Sequence, residues 1–380
     1  MTKDPNEQTV RNEPTETSAG MLTTANRVTS TDGKQAGPRK AFRPSPTHQP
    51  ALALDLALKA ISAGPLIVFL SLCVLFTILS PYFLTTSNLM NILVQSSSVA
   101  LLALGALVVI MVGSLDISLG AAAGLGTLVG AVLYRDYPGL GTPMIALAIV
   151  GTALAIGVAN ALVIESLRIG SAFIVTLGTM YAVQSLSYVT SGGSQVPGIP
   201  GPITNLANAE PLGIPGPVFM VIVAASAMAF FLNRVAWGRW IVAIGGNADA
   251  ARKVGIPVRA VLFSVYVIAA LFAGLTALLV AGLNDAGAPD SGTSILLGIA
   301  AVVIGGTSLS GGRGSVWATV VGAVILGTIS NGLTLMSVSP NWTPFAVGSV
   351  LVAAVGLDAA RQRIEGRLRV RQAQLHAAVI

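Results

Sequence analysis

The sequence predicts an all-α integral membrane protein of about ten transmembrane helices, with both termini on the cytoplasmic side. Three observations carry that fold class. Only 9% of the 380 residues are charged and 53% are hydrophobic, whereas a soluble domain carries about 25% charged residues. Too little polar surface exists to clothe a water-soluble body. Stretches of roughly 20 apolar residues recur from Pro65 onward, each enough to cross a hydrocarbon core about 30 Å thick. The cationic residues, finally, collect in alternate loops rather than in all of them.

Taken from the start, residues 1–50 are rich in Thr, Pro, Asn, Lys and Glu and poor in large apolar groups. They cannot bury enough surface to offset the entropy of ordering, so a disordered cytoplasmic tail is expected. No apolar core lies near Met1, so no signal peptide is expected there. A transmembrane domain follows over 51–358, and a basic cytoplasmic tail over 359–380. Within the domain the candidate spans are 64–80, 90–113, 117–134, 143–166, 171–190, 217–234, 259–283, 293–309, 315–337 and 343–358, with glycine-rich stretches that broken or re-entrant segments would also fit.

Alternating sides from a cytoplasmic N-terminus places Lys59, Arg168, the basic loop between 234 and 259, Arg313 and the Arg361–Arg371 tail inside. The 191–216 loop has Glu210 but no Lys or Arg, and the 284–292 loop has only Asp285 and Asp290 as charges; both fall outside. Arg135, beside Asp136, is the one exception to a positive-inside pattern. Trp237 and Trp240 fall near the inner interface and Trp342 near the outer one, as interfacial anchors do. The net charge of +6 is explained by these cytoplasmic loops without any nucleic-acid partner.

Other function classes are excluded by what is missing. Cys73 is the only cysteine, and His48 and His376 sit in the polar tails, so neither a disulfide framework nor a His/Cys metal centre is expected. No cluster of His, Asp, Glu or Cys marks a membrane enzyme. An ion-coupled transporter would keep ionisable groups near the span centres, which are almost free of charge here. No Gly-x4-Gly-Lys-Ser/Thr occurs, so the chain has no P-loop of its own.

Two local features point to a mechanism. In the basic loop at about 235–258, Asn247 suits a helix N-cap, Gly255 the position just past a helix end, and Pro257 forbids continuation. Between them Asp249 and Lys253 form an i,i+4 pair, and Ala250, Ala251 and Val254 make a small apolar face. A short stopped helix of this kind offers a close approach to another protein, or else lies on lipid headgroups. The second feature is Asp116, in a glycine-rich turn at a membrane boundary, where a carboxylate needs a partner or water. Capping the helix that begins near Ile117 and contacting solute are both open to it. Gln95, Ser97, Asn160, Thr176 and Asn331 are further polar groups within spans. Each fits a hydrophilic path or a hydrogen bond between helices. There is also an internal echo: Val112–Leu133 aligns with Ile304–Ile325 at about eight identities in 22 pairs, in the same direction through the membrane.

The run Asp249-Ala-Ala-x3-Gly255 resembles the cytoplasmic coupling loop of ABC importer permeases, with Asp in place of the usual Glu. Gly113-Ser-Leu-Asp116-Ile-Ser118-Leu-Gly120, Leu167-Arg168 through Phe173, Thr176 and Met180, Gly305 through Val316, and Ser330-Asn331-Gly332-Leu333 are similar to the ribose-type sugar importers within that class. The resemblance covers about residues 60–357 in order. It implies a permease subunit in the bacterial inner membrane, forming half of a translocation path for a ribose-type monosaccharide. It further implies three partners: an ATP-binding subunit, a periplasmic or lipid-anchored solute-binding protein, and a second, identical permease chain. ATP would act at the partner subunit, so no cofactor is expected here. Asp249, Ala250, Ala251, Arg252, Lys253 and Gly255 would couple to the ATPase. Relatives often carry an acidic residue near Ile295–Leu297, where this chain is apolar, which leaves the solute open.

Overall fold

A computed structural model describes residues 64–167, 171–289 and 294–349, with residues 352 and 356. The predicted tails, together with Lys59, Arg168 and Asp290, lie outside these residues. Twelve α-helices are described, and the one sheet is a pair of two-residue strands. The first helices are α1 (Gly64–Leu79), α2 (Thr86–Met111), α3 (Leu119–Asp136), α4 (Thr142–Leu167) and α5 (Ala172–Ser191). Next come β1 (Val196–Pro197), α6 (Gly201–Asn208), α7 (Gly216–Arg234), α8 (Ala236–Gly246), α9 (Ala248–Lys253) and α10 (Val258–Asn284). The chain then passes through β2 (Ala286–Gly287) to α11 (Ser294–Ile304) and α12 (Val316–Leu335), and residues 343–349 are helical again.

Helix α2 is the centre of the bundle, packed by α10, α11, α12 and α7. Every residue from Ala100 to Met111 is buried. Helix α10 is the second pillar and lies against α4, α2 and α3. Its contact face is small, with Ala269, Ala270, Ala273 and Ala277 fully buried. Small residues let backbones approach where lipid supplies no hydrophobic drive between helices. The approach is tight at Gly105 of α2, where a Cβ would stand 2.9 Å from the Ala269 carbonyl oxygen.

Six of the described helices are long and apolar enough to cross a membrane: α2, α4, α5, α7, α10 and α12. They fall on the predicted spans within a few residues. Of the others, α11 is shorter than expected. The apolar part of α11, Ile295–Ile304, is about 15 Å long at 1.5 Å per residue. It stops at Gly305-Gly306, where Gly306 takes φ +81°. Helix α3 ends on the charged pair Arg135–Asp136, joined at 2.7 Å. Helix α11 packs on α2 and α12, while α3, packed on α4, α10 and α5, is buried along most of its length. Non-helical backbone at depth is tolerated when protein, not lipid, surrounds it.

The two loops predicted to lie outside meet at the C-terminal end of α10. Asp285, at φ +48°, accepts Ile199 N–H on its Oδ1 at 3.0 Å and Gly198 N–H on its carbonyl oxygen at 2.8 Å. β1 pairs antiparallel with β2, and Thr127 Oγ1 of α3 accepts Ala288 N–H at 3.1 Å. The 191–216 segment, which has no span-like pattern, folds α6 onto α10 by burying Ile203 and Ala207. The opposite end of α10 carries α8 and α9. The two halves of the internal echo also meet there: a Cβ on Gly311 would stand 2.8 Å from the Gly113 nitrogen, and Gly312 N–H donates to the carbonyl oxygen of Met111, just ahead of the first half, at 2.9 Å.

Candidate coupling and translocation site

Between Met111 and Leu119 the chain is not helical. Gly113, at φ +75°, turns it away from α2, and Asp116, Ile117 and Ser118 are buried as it enters α3. Asp116 Oδ1 accepts both Ser118 N–H at 2.9 Å and Ser118 Oγ–H at 2.6 Å, a local turn just ahead of the helix. Asn160 of α4 donates from Nδ2 to Ser118 Oγ at 2.8 Å, and Thr179 of α5 donates to Asn160 Oδ1 at 2.6 Å. Thr176 Oγ1 accepts Ile117 N–H at 3.4 Å. One polar chain therefore ties the irregular segment to α4 and α5. Asp116 Oδ2 is buried with no hydrogen-bond partner among the described residues.

The structure thus brings Asp116, Asn160 and Thr176 together and adds Ser118 and Thr179. Thr176 stood out in the sequence as a polar group within a span, whereas Ser118 and Thr179 did not stand out as polar candidates. Asn331 sits elsewhere: its Nδ2 donates to Asn88 Oδ1 at 2.9 Å, and Asn88 in turn donates to the Phe83 carbonyl oxygen, pinning α12 to the start of α2. Ser97 is buried and bonded to the Leu93 carbonyl oxygen of its own helix, and Gln95 is exposed. Asp116→Ala is expected to destabilise the protein by about 1–3 kcal/mol, because Ser118 loses the acceptor for two buried donors. Asp116→Asn keeps an oxygen there and should change less. Unfolding midpoints of the detergent-purified variants read the difference, and an unchanged Asp116→Ala midpoint would exclude a structural role.

Helix α9 is built as its caps predict. Asn247 Oδ1 accepts Ala250 N–H at 2.9 Å, and Gly255 at φ +85° ends the helix while Ile256 N–H donates back to the Ala251 carbonyl oxygen at 3.1 Å. Two details differ from expectation. Asp249 pairs with Arg252 at 2.7 Å, an i,i+3 pair, instead of with Lys253. In a helix of six residues the forked guanidinium one turn on is the nearer cation. The small face is also divided: Ala251 is buried against the body, while Ala250 and Val254 are exposed beside Asp249, Arg252, Lys253 and Gly255. The helix therefore anchors through one alanine and offers the rest outward. Trp237 of α8 donates from Nε1 to Ser264 Oγ of α10 at 2.6 Å, so it serves α8 docking as well as any interface.

A cavity of about 710 Å³ opens beside α9 and leads toward the irregular segment. Ser114, Glu165, Arg252, Arg259 and Tyr266 are among its walls. Ser114 Oγ and Tyr266 Oη share a hydrogen bond of 2.8 Å, joining that segment to α10, the helix that follows α9.

Residues 88–355 match the protein family described as "branched-chain amino acid transport system / permease component". The chain belongs to this permease family. Its relatives include the ribose import permease protein of Escherichia coli (strain K12), 36% identical over 309 residues, which are 78% of this chain and 93% of that protein. The D-allose transport system permease protein of the same strain is 33% identical over 300 residues, covering 78% of this chain and 90% of its own length. The galactose/methyl galactoside import permease protein of Salmonella typhimurium (strain LT2) is 34% identical over 313 residues, 78% of this chain and 93% of that protein. No solved structure matches the permease. The family description names amino acids and these relatives name sugars, so membership assigns the role of permease component and leaves the solute to other evidence. A multi-pass location in the bacterial inner membrane fits the family and the six apolar helices.

Proposed function

We propose that the permease forms half of the translocation path of an ATP-driven importer for a ribose-type monosaccharide. The observation that carries this is α9: a doubly capped helix whose exposed residues have the spacing of the coupling loop. Identity of 36% to the ribose import permease supports the solute class. Asp249, Ala250, Arg252, Lys253 and Gly255 would meet an ATP-binding subunit, with Ala251 holding the helix to the body. A second copy of the chain would complete the path, and a periplasmic or lipid-anchored binding protein would deliver the solute. With α9 on the cytoplasmic side, closure of the ATPase would push α9 and, through α10, the irregular segment at Ser114–Asp116. Packed helices would then rock between inward and outward states. Ten spans with both termini inside remain the expected topology.

The test is co-purification of the tagged permease from native membranes in mild detergent, followed by an ATPase assay. An ATP-binding subunit that is lost when 249–255 are altered supports the reading. Purified permease that moves solute down an ion gradient, with no ATPase present, would replace it with secondary transport.

A further inference from the structure

The outward face of α5 is chemically unlike that of its neighbours. On α4 the exposed residues include Met144, Leu147, Ala155, Leu162 and Val163, and on α7 Phe219, Ile222, Val223 and Phe230; these are mainly apolar surfaces suited to lipid, interrupted on α7 by Ser226. On α5 Tyr181, Ser185 and Tyr188 are exposed, Gln184 is half-buried, and together with Val189 they line a shallow concavity of about 460 Å³. None of these four polar side chains has a hydrogen-bond partner among the described residues. Other polar groups of the same helix are turned inward and bonded, Ser187 to the Val183 carbonyl oxygen at 3.0 Å and Thr179 to Asn160. An amide and three hydroxyls facing hydrocarbon without partners are costly, so this face meets water or a polar solute.

The chemistry of the patch narrows the solute. The lining holds no charge, which disfavours ions and acids. Gln184 offers two donors and an acceptor, Ser185 and the tyrosines offer hydroxyls that do both, and the tyrosine rings offer flat apolar faces. That combination suits a neutral polyhydroxylated ring, whose C–H face is apolar and whose edge is all hydroxyl. The patch also lies where an entering solute would arrive. Thr176 and Thr179 face the Asp116 network, whereas 181–188 occupy the part of α5 that leads to β1 and β2, at the far end of α10 from α9.

We propose that Tyr181, Gln184, Ser185 and Tyr188 form a contact site for a neutral sugar on the half of α5 remote from α9. The site rests on the permease reading above and assigns the wall of its path. The experiment uses the complete transporter in membranes, with Cys73→Ala as background and Ser185→Cys as reporter. A membrane-impermeant methanethiosulfonate reagent should modify the S185C thiol, and millimolar D-ribose, D-allose or D-galactose should slow that modification. In the native background, Gln184→Leu should lower kcat/KM for uptake about tenfold, the loss of one to two hydrogen bonds to a solute, with co-purified ATPase unchanged. Modification only by a lipid-soluble maleimide would assign the face to lipid and overturn the site. Modification unaffected by every sugar also overturns it. Labelling needs no transport, so failure of the permease reading, seen as unmutated protein with no ATP-dependent uptake, is scored separately.

Discussion

Gly255→Pro is expected to reduce ATP-driven uptake to background while the permease remains in the membrane at its normal level. Gly255 takes φ +85°, and its N–H donates to the Arg252 carbonyl oxygen at 3.2 Å. Proline is held near φ −65° and has no N–H, so it can satisfy neither requirement. Helix α9 has six residues and cannot persist on its own propensity, because a helix this short has not offset the cost of its nucleus. It exists because Asn247 and Gly255 stop it at both ends and Ala251 anchors it. Loss of one cap should therefore abolish the surface offered to the ATP-binding subunit without disturbing the bundle. Gly255→Ala, which strains φ by about 1–2 kcal/mol but keeps the N–H, should give an intermediate loss. Arg252→Ala removes the partner of Asp249 and an exposed cation, and should also stop uptake with solute binding to the delivery protein intact. The readings are uptake per permease by immunoblot and ATPase co-purification. Normal uptake by Gly255→Pro at normal abundance would remove α9 from the coupling path.

Gly245→Ala should be as damaging for a different reason. Gly245 lies in the last turn of α8, at the junction where α2, the 305–315 loop and the start of α9 converge. A Cβ there would run into the Met111 carbonyl oxygen and stand 2.5 Å from the Gly312 nitrogen. Both are backbone atoms, and they are bonded to one another at 2.9 Å. Neither can step aside by changing rotamer. The added methyl group should force α8 away from the bundle, lower the unfolding midpoint in detergent and end uptake. Gly246→Ala is the control, since its Cβ would meet nothing within 4 Å. Equal midpoints and uptake in the two variants would mean that the junction yields more easily than its backbone contacts imply.

These two glycines show how differently sequence information is distributed. Gly255 was legible because a cap is a local device: Asn247, Gly255 and Pro257 mark a short helix whatever surrounds it. Gly245, four residues beyond the Trp240–Ile241 stretch, looked like one glycine among many, because its role depends on a carbonyl 134 positions earlier in the chain. The same distinction separates Asp116, visible as a charge where charges are scarce, from its bonding to Asn160 and Thr179 through Ser118. Tyr266 and Ser114, 152 residues apart, carried no mark at all. The 191–216 segment, expected as a loop, contains a helix that went unseen for a related reason. Helix α6 is held by burying Ile203 and Ala207 on α10, and eight residues with two apolar contacts are not a pattern in isolation.

By itself the sequence determined the solvent in which the protein lives, the placement of the six long apolar helices, the capped helix at 248–253 and membership of a permease family. Each follows from composition, from runs of apolar residues or from signals within a few positions of one another, which do not depend on how helices meet. The tertiary structure alone decided that α11 is a short helix sheltered by α2 and α12, that Asp249 pairs with Arg252, that three of the six polar candidates join one network, and that α5 turns unpartnered polar groups outward. All of these depend on the rotation and depth of one helix against another. In a membrane those are set by small-residue contacts such as Gly105 on Ala269 and by a few interhelical hydrogen bonds, whose partners lie far apart in the chain.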